Sequence, residues 1–134
     1  MPKLATPELL RTQALIAGQW VGADNDGRLA VHNPANGQHI ADVPLMGATE
    51  TQRAITAAEA AWPAWRALTA SARATILRRW HDLMVTHAED LAQLMTAEQG
   101  KPLSEARGEV AYAASYIGWY AEEARRVYGE TIPS

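Results

Sequence analysis

Tyr112, Tyr116 and Tyr120 recur every four residues and so share one stripe of a helix, with Glu109 about one turn before Tyr112 on nearly the same side. Phenols and a carboxylate in such a row can line a pocket and hydrogen-bond a small ligand, or they can pack against a neighbouring element. Aromatic rows at helical spacing usually face a core, so pattern alone favours packing. The remaining reactive side chains make no recognisable reaction centre. His81 and Asp82 are adjacent and cannot form an i, i+4 metal pair, and no HExxH occurs. His81 and His87 read as surface or boundary residues of a helix. Ser71, Ser104 and Ser115 lack the flanking pattern of a nucleophile elbow. Glu89 and Asp90 are neighbours in sequence, point in different directions on a helix and read as a solvated face. Trp62, Trp65, Trp80 and Trp119 could stack a ligand, but their aliphatic neighbours at helical spacing point to core packing.

The elements that must carry these residues change character along the chain. Residues 1–13 are a lead-in, helical or irregular. Residues 14–45 read as a β-arm. Ala14-Leu15-Ile16 and Trp20-Val21 flank a tight turn in which Gly18 can take positive φ. Asp26-Gly27 is a second turn signal. In Asn33-Pro34-Ala35-Asn36-Gly37, Pro34 fixes φ and Asn36-Gly37 tolerate the left-handed region. His39 to Leu45 alternates like a strand, with Ile40 and Val43 inward and Pro44 at an edge or end.

From residue 48 the period becomes helical, and three main helices are expected. Thr49 can cap the first, with Gln52 completing a capping box, and Pro63 should end or kink it near Trp62. Thr69 caps the second, whose apolar face is Ile76, Leu77, Trp80, Leu83 and Met84. Leu91, Leu94 and Met95 continue that face past a break near His87, before Gly100 and Pro102 end it. Ser104 or Pro102 opens the third, in which Val110, Ala113, Ile117, Tyr120, Ala124 and Val127 recur inward up to a stop at Gly129. The piece therefore reads as α+β: a β-hairpin and strand arm, then helices.

Composition removes several classes of function. The chain has 134 residues with 12 Lys and Arg against 15 Asp and Glu, for a net charge of −3, so nucleic acid is not an expected partner. There is no cysteine, which excludes disulfides, Cys-based metal sites and a Cys nucleophile within this sequence. No GxGxxG or P-loop pattern encodes a phosphate cradle. The start lacks the apolar core of a signal peptide, and no run of about 18 apolar residues could cross a membrane. No membrane partner and a cytoplasmic location are expected.

Taken together, the segments resemble the aldehyde dehydrogenase family. Ile16-Ala17-Gly18-Gln19-Trp20 is similar to its "INGxW" hairpin and Asn33 to Gly37 to its "NPATG" turn. Arg73 to Leu77 resembles "RAxIL", Glu98 to Pro102 "EQGKP", and Gly129 to Pro133 "GETIP". The set is ordered and spaced as in the family over nearly all of residues 14–134. Arg66 to Ala70, Glu109 to Ser115 and Trp119 to Glu123 are most similar to bacterial succinate-semialdehyde dehydrogenases, with glutarate-semialdehyde dehydrogenases as near relatives.

The resemblance implies an α/β parent fold in which residues 48–134 are the helical part of an incomplete cofactor-binding domain. It implies an oxidoreductase that converts an aldehyde, succinate semialdehyde first, to a carboxylic acid with NAD or NADP. It further implies a cysteine nucleophile, a glutamate base and oxyanion donors. In the family these groups follow the Gly129–Pro133 segment. No catalytic or cofactor-binding residue is therefore assigned here, and an N-terminal fragment, inactive and without cofactor by itself, is expected. The third helix borders the substrate entrance in the family, so Glu109, Tyr112 and Tyr116 would line or flank that tunnel. Backbone carbonyls at Val31 or His32 and the Glu98 carboxylate match the positions of a monovalent cation found in some members. A homo-oligomer is expected. The rival reading is a non-enzymatic helical module that pairs with itself or with dehydrogenase subunits.

Overall fold

Ala17 and Gly18 have φ of 51° and 77°. Two consecutive left-handed residues make the tight turn whose twist matches a β-hairpin. It joins β1 (Ala14–Ile16) to β2 (Gln19–Val21), antiparallel with Ile16 opposite Gln19. Glycine alone was not enough: Ala17 takes positive φ as well, a conformation that alanine adopts at a cost. The computed structural model describes residues 2–134, so the Met1 end of the expected lead-in lies outside the described residues. The rest of the lead-in is irregular apart from a single 3-10 turn at Pro7–Leu9.

β3 (Arg28–His32) and β4 (His39–Pro44) form a second antiparallel pair, with an irregular step between Val31 and His32. Side chains hold the turn between them. Asn33 Oδ1 accepts from Ala35 N–H, Asn36 Oδ1 accepts from Gln38 N–H, and Gly37 N–H bonds to the Asn33 carbonyl at 2.7 Å. Gly37, at φ 73°, takes the left-handed position and Asn36 does not. Ile40 is buried and Val43 half-buried, both as expected, although burial along β4 does not alternate strictly.

Four helices follow, because the expected second helix is two. α1 (Ala48–Ala67) starts at Gly47, not at Thr49, and does not end at Pro63 but continues past it. Glu50 explains the start. Its carboxylate accepts from Gly47 N–H and from Asp24 N–H, each at 3.0 Å, so it closes the first turn of α1 and ties the β-arm to it. Pro63 removes one helical donor, and the helix continues to its last bond, from Leu68 N–H to the Trp65 carbonyl.

α2 (Ala70–Thr86) is capped by Thr69, whose Oγ1 accepts from Ala72 N–H. His87, at φ −104° and ψ 18°, separates α2 from α3 (Ala88–Gln99). Gly100 ends α3 in the left-handed region at φ 74°. A Cβ on Gly100 would lie 2.9 Å from Pro34 Cγ, so this stop is also where α3 touches the β3–β4 turn. Pro102 then opens α4 (Leu103–Glu123), which ends before Gly129.

The core lies between α2, α3 and α4 and is built from small residues. Ala74, Ala92, Ala106, Val110, Ala114 and Ala121 are buried. On α4 the inward stripe is therefore Ala106, Val110, Ala114 and Ala121, while Ala113, Tyr120 and Val127 from the expected stripe are exposed. Alanines let helix backbones approach closely, which leaves the large side chains on the flanks. Trp62, Trp80 and Trp119 are 56%, 53% and 62% exposed, and only Trp65 of the expected core tryptophans is half-buried. Ile76 and Leu83 stand out with Trp80, whereas Leu77 and Met84 turn partly inward. His81 is a boundary residue, with Nδ1 2.9 Å from Asp82 Oδ1. Its ring packs so near α4 that a Cβ on Gly118 would lie 3.1 Å from it.

Glu89 and Asp90 part company. Glu89 is exposed and forms a two-pronged ion pair with Arg107 at 2.8 Å. Asp90 is only 5% exposed, and its two oxygens accept from Ala5 N–H and Thr6 N–H, each at 2.8 Å. The expected solvated face is thus half wrong: Asp90 straps the N-terminal segment to the start of α3. Sequence gave no sign of it, because the partners are backbone groups far away in the chain. The Ala5 N–H above all, helped by Thr6 and His87, holds the Asp90 carboxyl below the ordinary aspartate range despite its desolvation.

Two outcomes follow. A lowered folded-state pKa contributes stability that is complete above the unfolded-state value and is lost as pH falls through the folded one. Hydrogen exchange should therefore show Ala5 and Thr6 amides protected down through the ordinary aspartate range and released only below it. Gly100→Ala should lower the unfolding free energy in urea by at least about 1 kcal/mol, from the left-handed backbone alone.

Candidate functional site: the aromatic wall of α4

The outer face of α4 carries the residues from which the sequence reading began. Val110, Ala114 and Ala121 hold the opposite face against the other helices, so Tyr112, Tyr116, Trp119 and Tyr120 are presented outward. Tyr112 and Tyr116 are brought together: their hydroxyls are 2.7 Å apart, and their rings meet edge to face with centroids at 4.9 Å. Ser115 donates its hydroxyl to the Tyr112 carbonyl at 2.7 Å. Ser115, Tyr116, Trp119 and Tyr120 line a shallow concavity of about 340 Å³.

Tyr116 is therefore both part of the pair and part of the concavity. Its hydrogen bond with Tyr112, together with desolvation, pushes its phenol above the ordinary tyrosine range. Glu109 takes a different course. Its carboxylate pairs with Lys101 of the α3–α4 connection, and it does not line the concavity.

Trp119 and Ser115 were not among the residues expected to line a site, and Tyr120 was expected in the tyrosine stripe but not in the tunnel. The signal for them was present: Trp119 lies one turn beyond Tyr116, and Tyr120 continues the four-residue spacing. Reading Trp119 as core hid it. Chemically, the wall offers flat apolar faces with hydroxyl groups between them. Such a surface holds and orients a small molecule. Its one aliphatic hydroxyl, on Ser115, is engaged with backbone.

The second group of expected positions lies at the other end of α3. Val31 is half-buried at the irregular step of β3, and the ring of His32 meets that of His39 edge-on at 5.5 Å. Glu98 is exposed near the end of α3, and the Gly100–Pro34 contact brings that end against the β3–β4 turn. Among the described residues, no three His, Cys, Asp or Glu side chains cluster so as to hold a metal ion.

A hairpin, a second strand pair and closely packed helices ending in an outward aromatic wall define a piece of one enzyme fold. The chain belongs to the aldehyde dehydrogenase family, whose model matches residues 20–134. More particularly, it is 60% identical to the NADP+-dependent succinate-semialdehyde dehydrogenase of Escherichia coli K12, over 98% of this chain and 27% of that protein. It is equally 60% identical to the glutarate-semialdehyde dehydrogenase of Pseudomonas aeruginosa, with the same coverage. Among solved structures, an NADP-dependent enzyme of E. coli superposes with a TM-score of 0.95 at 60% identity, over 98% of this chain and 27% of the other. The succinate-semialdehyde dehydrogenase of Burkholderia pseudomallei superposes at 0.94 with 56% identity, over the same 98% and 27%. The chain spans about 27% of the length of these two curated relatives. The resemblance carried by the turn and helix-stop motifs is confirmed, and the α+β arrangement is that of the corresponding part of the family's fold.

Replacing Tyr112 by Phe removes the hydroxyl that is hydrogen-bonded to Tyr116. Titration followed by tyrosinate absorbance should then show the highest-pH tyrosine transition move down toward the ordinary range, with the helical signal unchanged.

Proposed function

We propose that this chain is the scaffold and substrate-side wall of an NAD(P)+-dependent semialdehyde dehydrogenase, inactive as the 134-residue chain alone. The observation that carries the reading is the outward aromatic concavity on α4, in a chain equally similar to succinate- and glutarate-semialdehyde dehydrogenases. A short aliphatic aldehyde with a carboxylate at its far end suits such a wall. Tyr116, Trp119 and Tyr120 would flank the chain of the substrate, with Tyr112 fixing Tyr116. Residues 48–134 would form the helical part of the cofactor-binding domain, beside the β-arm of residues 14–45. A nicotinamide, when bound, supplies the hydride acceptor. The residues of this chain orient the aldehyde and keep water from it. No cysteine is present to serve as the nucleophile implied by the family. The carbonyls of Val31 or His32 and the Glu98 carboxylate would hold a monovalent cation, oxygen donors being suited to a hard ion.

The exposed Trp62, Trp80 and Trp119 favour a second reading, in which the chain acts by association with itself or with dehydrogenase subunits. One experiment separates the two. Cofactor reduction is followed with succinate and glutarate semialdehydes and with NAD+ and NADP+. The assay compares the 134-residue chain with the same sequence continued to the length of its relatives. The longer protein should reduce cofactor and the shorter should not. In the longer protein, Trp119→Ala should raise KM by roughly tenfold, the value of about 1.4 kcal/mol of lost binding, with a smaller change in kcat. A longer protein that oxidises neither aldehyde would remove the first reading.

A further inference from the structure

An asparagine can lose its side-chain nitrogen when the amide nitrogen of the next residue attacks its side-chain carbonyl. The attack needs a next residue whose N–H can lose its proton and whose side chain does not stand in the way. The chain has asparagine at Asn25, Asn33 and Asn36 only. Asn33 precedes Pro34, whose nitrogen carries no proton, and is closed to this chemistry. Asn25 precedes Asp26, whose N–H is bonded to the Ala23 carbonyl at 3.0 Å and whose carboxylate opposes loss of that proton. Asn36 precedes Gly37, which has no side chain to shield its nitrogen. Asn36, Gly37 and Gln38 are all exposed in the β3–β4 turn.

Two hydrogen bonds of this turn act in opposite senses. Gly37 N–H donates to the Asn33 carbonyl at 2.7 Å, which keeps the attacking nitrogen engaged. Gln38 N–H donates to Asn36 Oδ1 at 2.9 Å. That oxygen takes on negative charge during the attack, and an N–H already aimed at it stabilises the charge as an oxyanion donor does. The second bond spans two residues and does not depend on the first. The turn is thus prepared for the reaction and held shut at Gly37. Asn33 supports the closed form: its Oδ1 fixes Ala35 N–H at 2.9 Å, and Pro34 fits against Gly100 at the end of α3.

We propose that Asn36 is a site of spontaneous deamidation, gated by opening of the hydrogen bond between Gly37 and Asn33. The freed Gly37 nitrogen gives its proton to solvent base and bonds to Asn36 Cγ. The Cγ–Nδ2 bond breaks, and the side-chain nitrogen takes up a proton and leaves as ammonia. A cyclic succinimide remains, and water opens it at either carbonyl. One opening gives aspartate; the other gives isoaspartate, in which the main chain runs through the former side chain. No oxidant or reductant is consumed. Either product adds a negative charge to a chain of net −3. Isoaspartate also lengthens the turn by one backbone atom, where the β3–β4 pair meets α3. The proposal rests on this turn and is independent of the aldehyde-oxidising reading.

The test is to hold the 134-residue chain at mildly alkaline pH, digest it with trypsin beside an unincubated sample, and read both by tandem mass spectrometry. Cleavage after Arg11, Arg28 and Arg53 puts Asn25 on one peptide and Asn33 with Asn36 on the next. The mass gain of amide-to-acid conversion should appear at Asn36, in two products of equal mass, and not at Asn25 or Asn33. Rates read the gate. With the turn unfolded in urea, Asn36 should convert at least about tenfold faster than in the folded chain. Asn33→Ala removes the bond to Ala35 and should speed the folded-state reaction by about fivefold, the worth of one hydrogen bond, with the helical signal unchanged. Asn36→Gln keeps an amide but needs a larger ring, and should show no gain. An Asn36 that stays intact in the folded chain would overturn the site, as would a gain at Asn25 equal to that at Asn36. Equal rates in urea and in buffer, or in Asn33→Ala and the parent chain, would overturn the gate.

Discussion

Close approach between α4 and the pair α2 and α3 is the constraint on which the rest of the molecule depends. The centre of the contact is made by alanines, one valine and a glycine, with Leu91, Met95 and Leu103 packed partly buried around it. Ala92 and Ala106 are fully enclosed, and Gly118 lies against the His81 ring. Small side chains bury little apolar area each, so this core gains through backbone proximity and tight packing more than through large hydrophobic groups. The geometry has a second effect. With the inner face of each helix reserved for small residues, tryptophans and tyrosines have nowhere to go but outward, and the wall on α4 exists because of that exclusion.

Two buried carboxylates complete the frame. Glu50 and Asp90 each sit in the first turn of a helix, where negative charge is favoured by the helix dipole. Each accepts backbone N–H groups from a distant segment: Asp24 after the first hairpin, whose own carboxylate also pairs with Arg53 of α1, and Ala5 and Thr6 in the lead-in. Hydrogen bonding by those amides outweighs desolvation and keeps both acids ionised below their usual range. The β-arm and the N-terminal segment are thus fastened to the helices by electrostatics at helix starts, where side-chain packing is thin.

What was legible in the sequence was local. Turns with a backbone mechanism came out as read: the Gly18 hairpin, the Asn33 to Gly37 turn, the Thr69 cap, the break at His87 and the Gly100 stop. What failed needed knowledge of distant partners. Thr49 looks like a cap, but Glu50 answers to Asp24, so the helix starts at Gly47. Trp80 and Trp119 look like core by spacing, but Ala74, Ala114 and Ala121 take the contact face. Asp90 looks solvated, but its partners are amides some 85 residues away. The stripe of Tyr112, Tyr116 and Tyr120 was legible from its spacing; Trp119 was assigned to the core because core and pocket share the same helical period.

The two faces of α4 accordingly evolve under different rules. On the inner face each added methylene presses on a neighbouring backbone, so the alphabet is nearly closed to alanine, glycine and valine. On the outer face ring size, polarity and hydroxyl placement can drift with little penalty to folding. Single substitutions can therefore reshape the outer face, each passing through a folded protein, while the inner seam stays as it was.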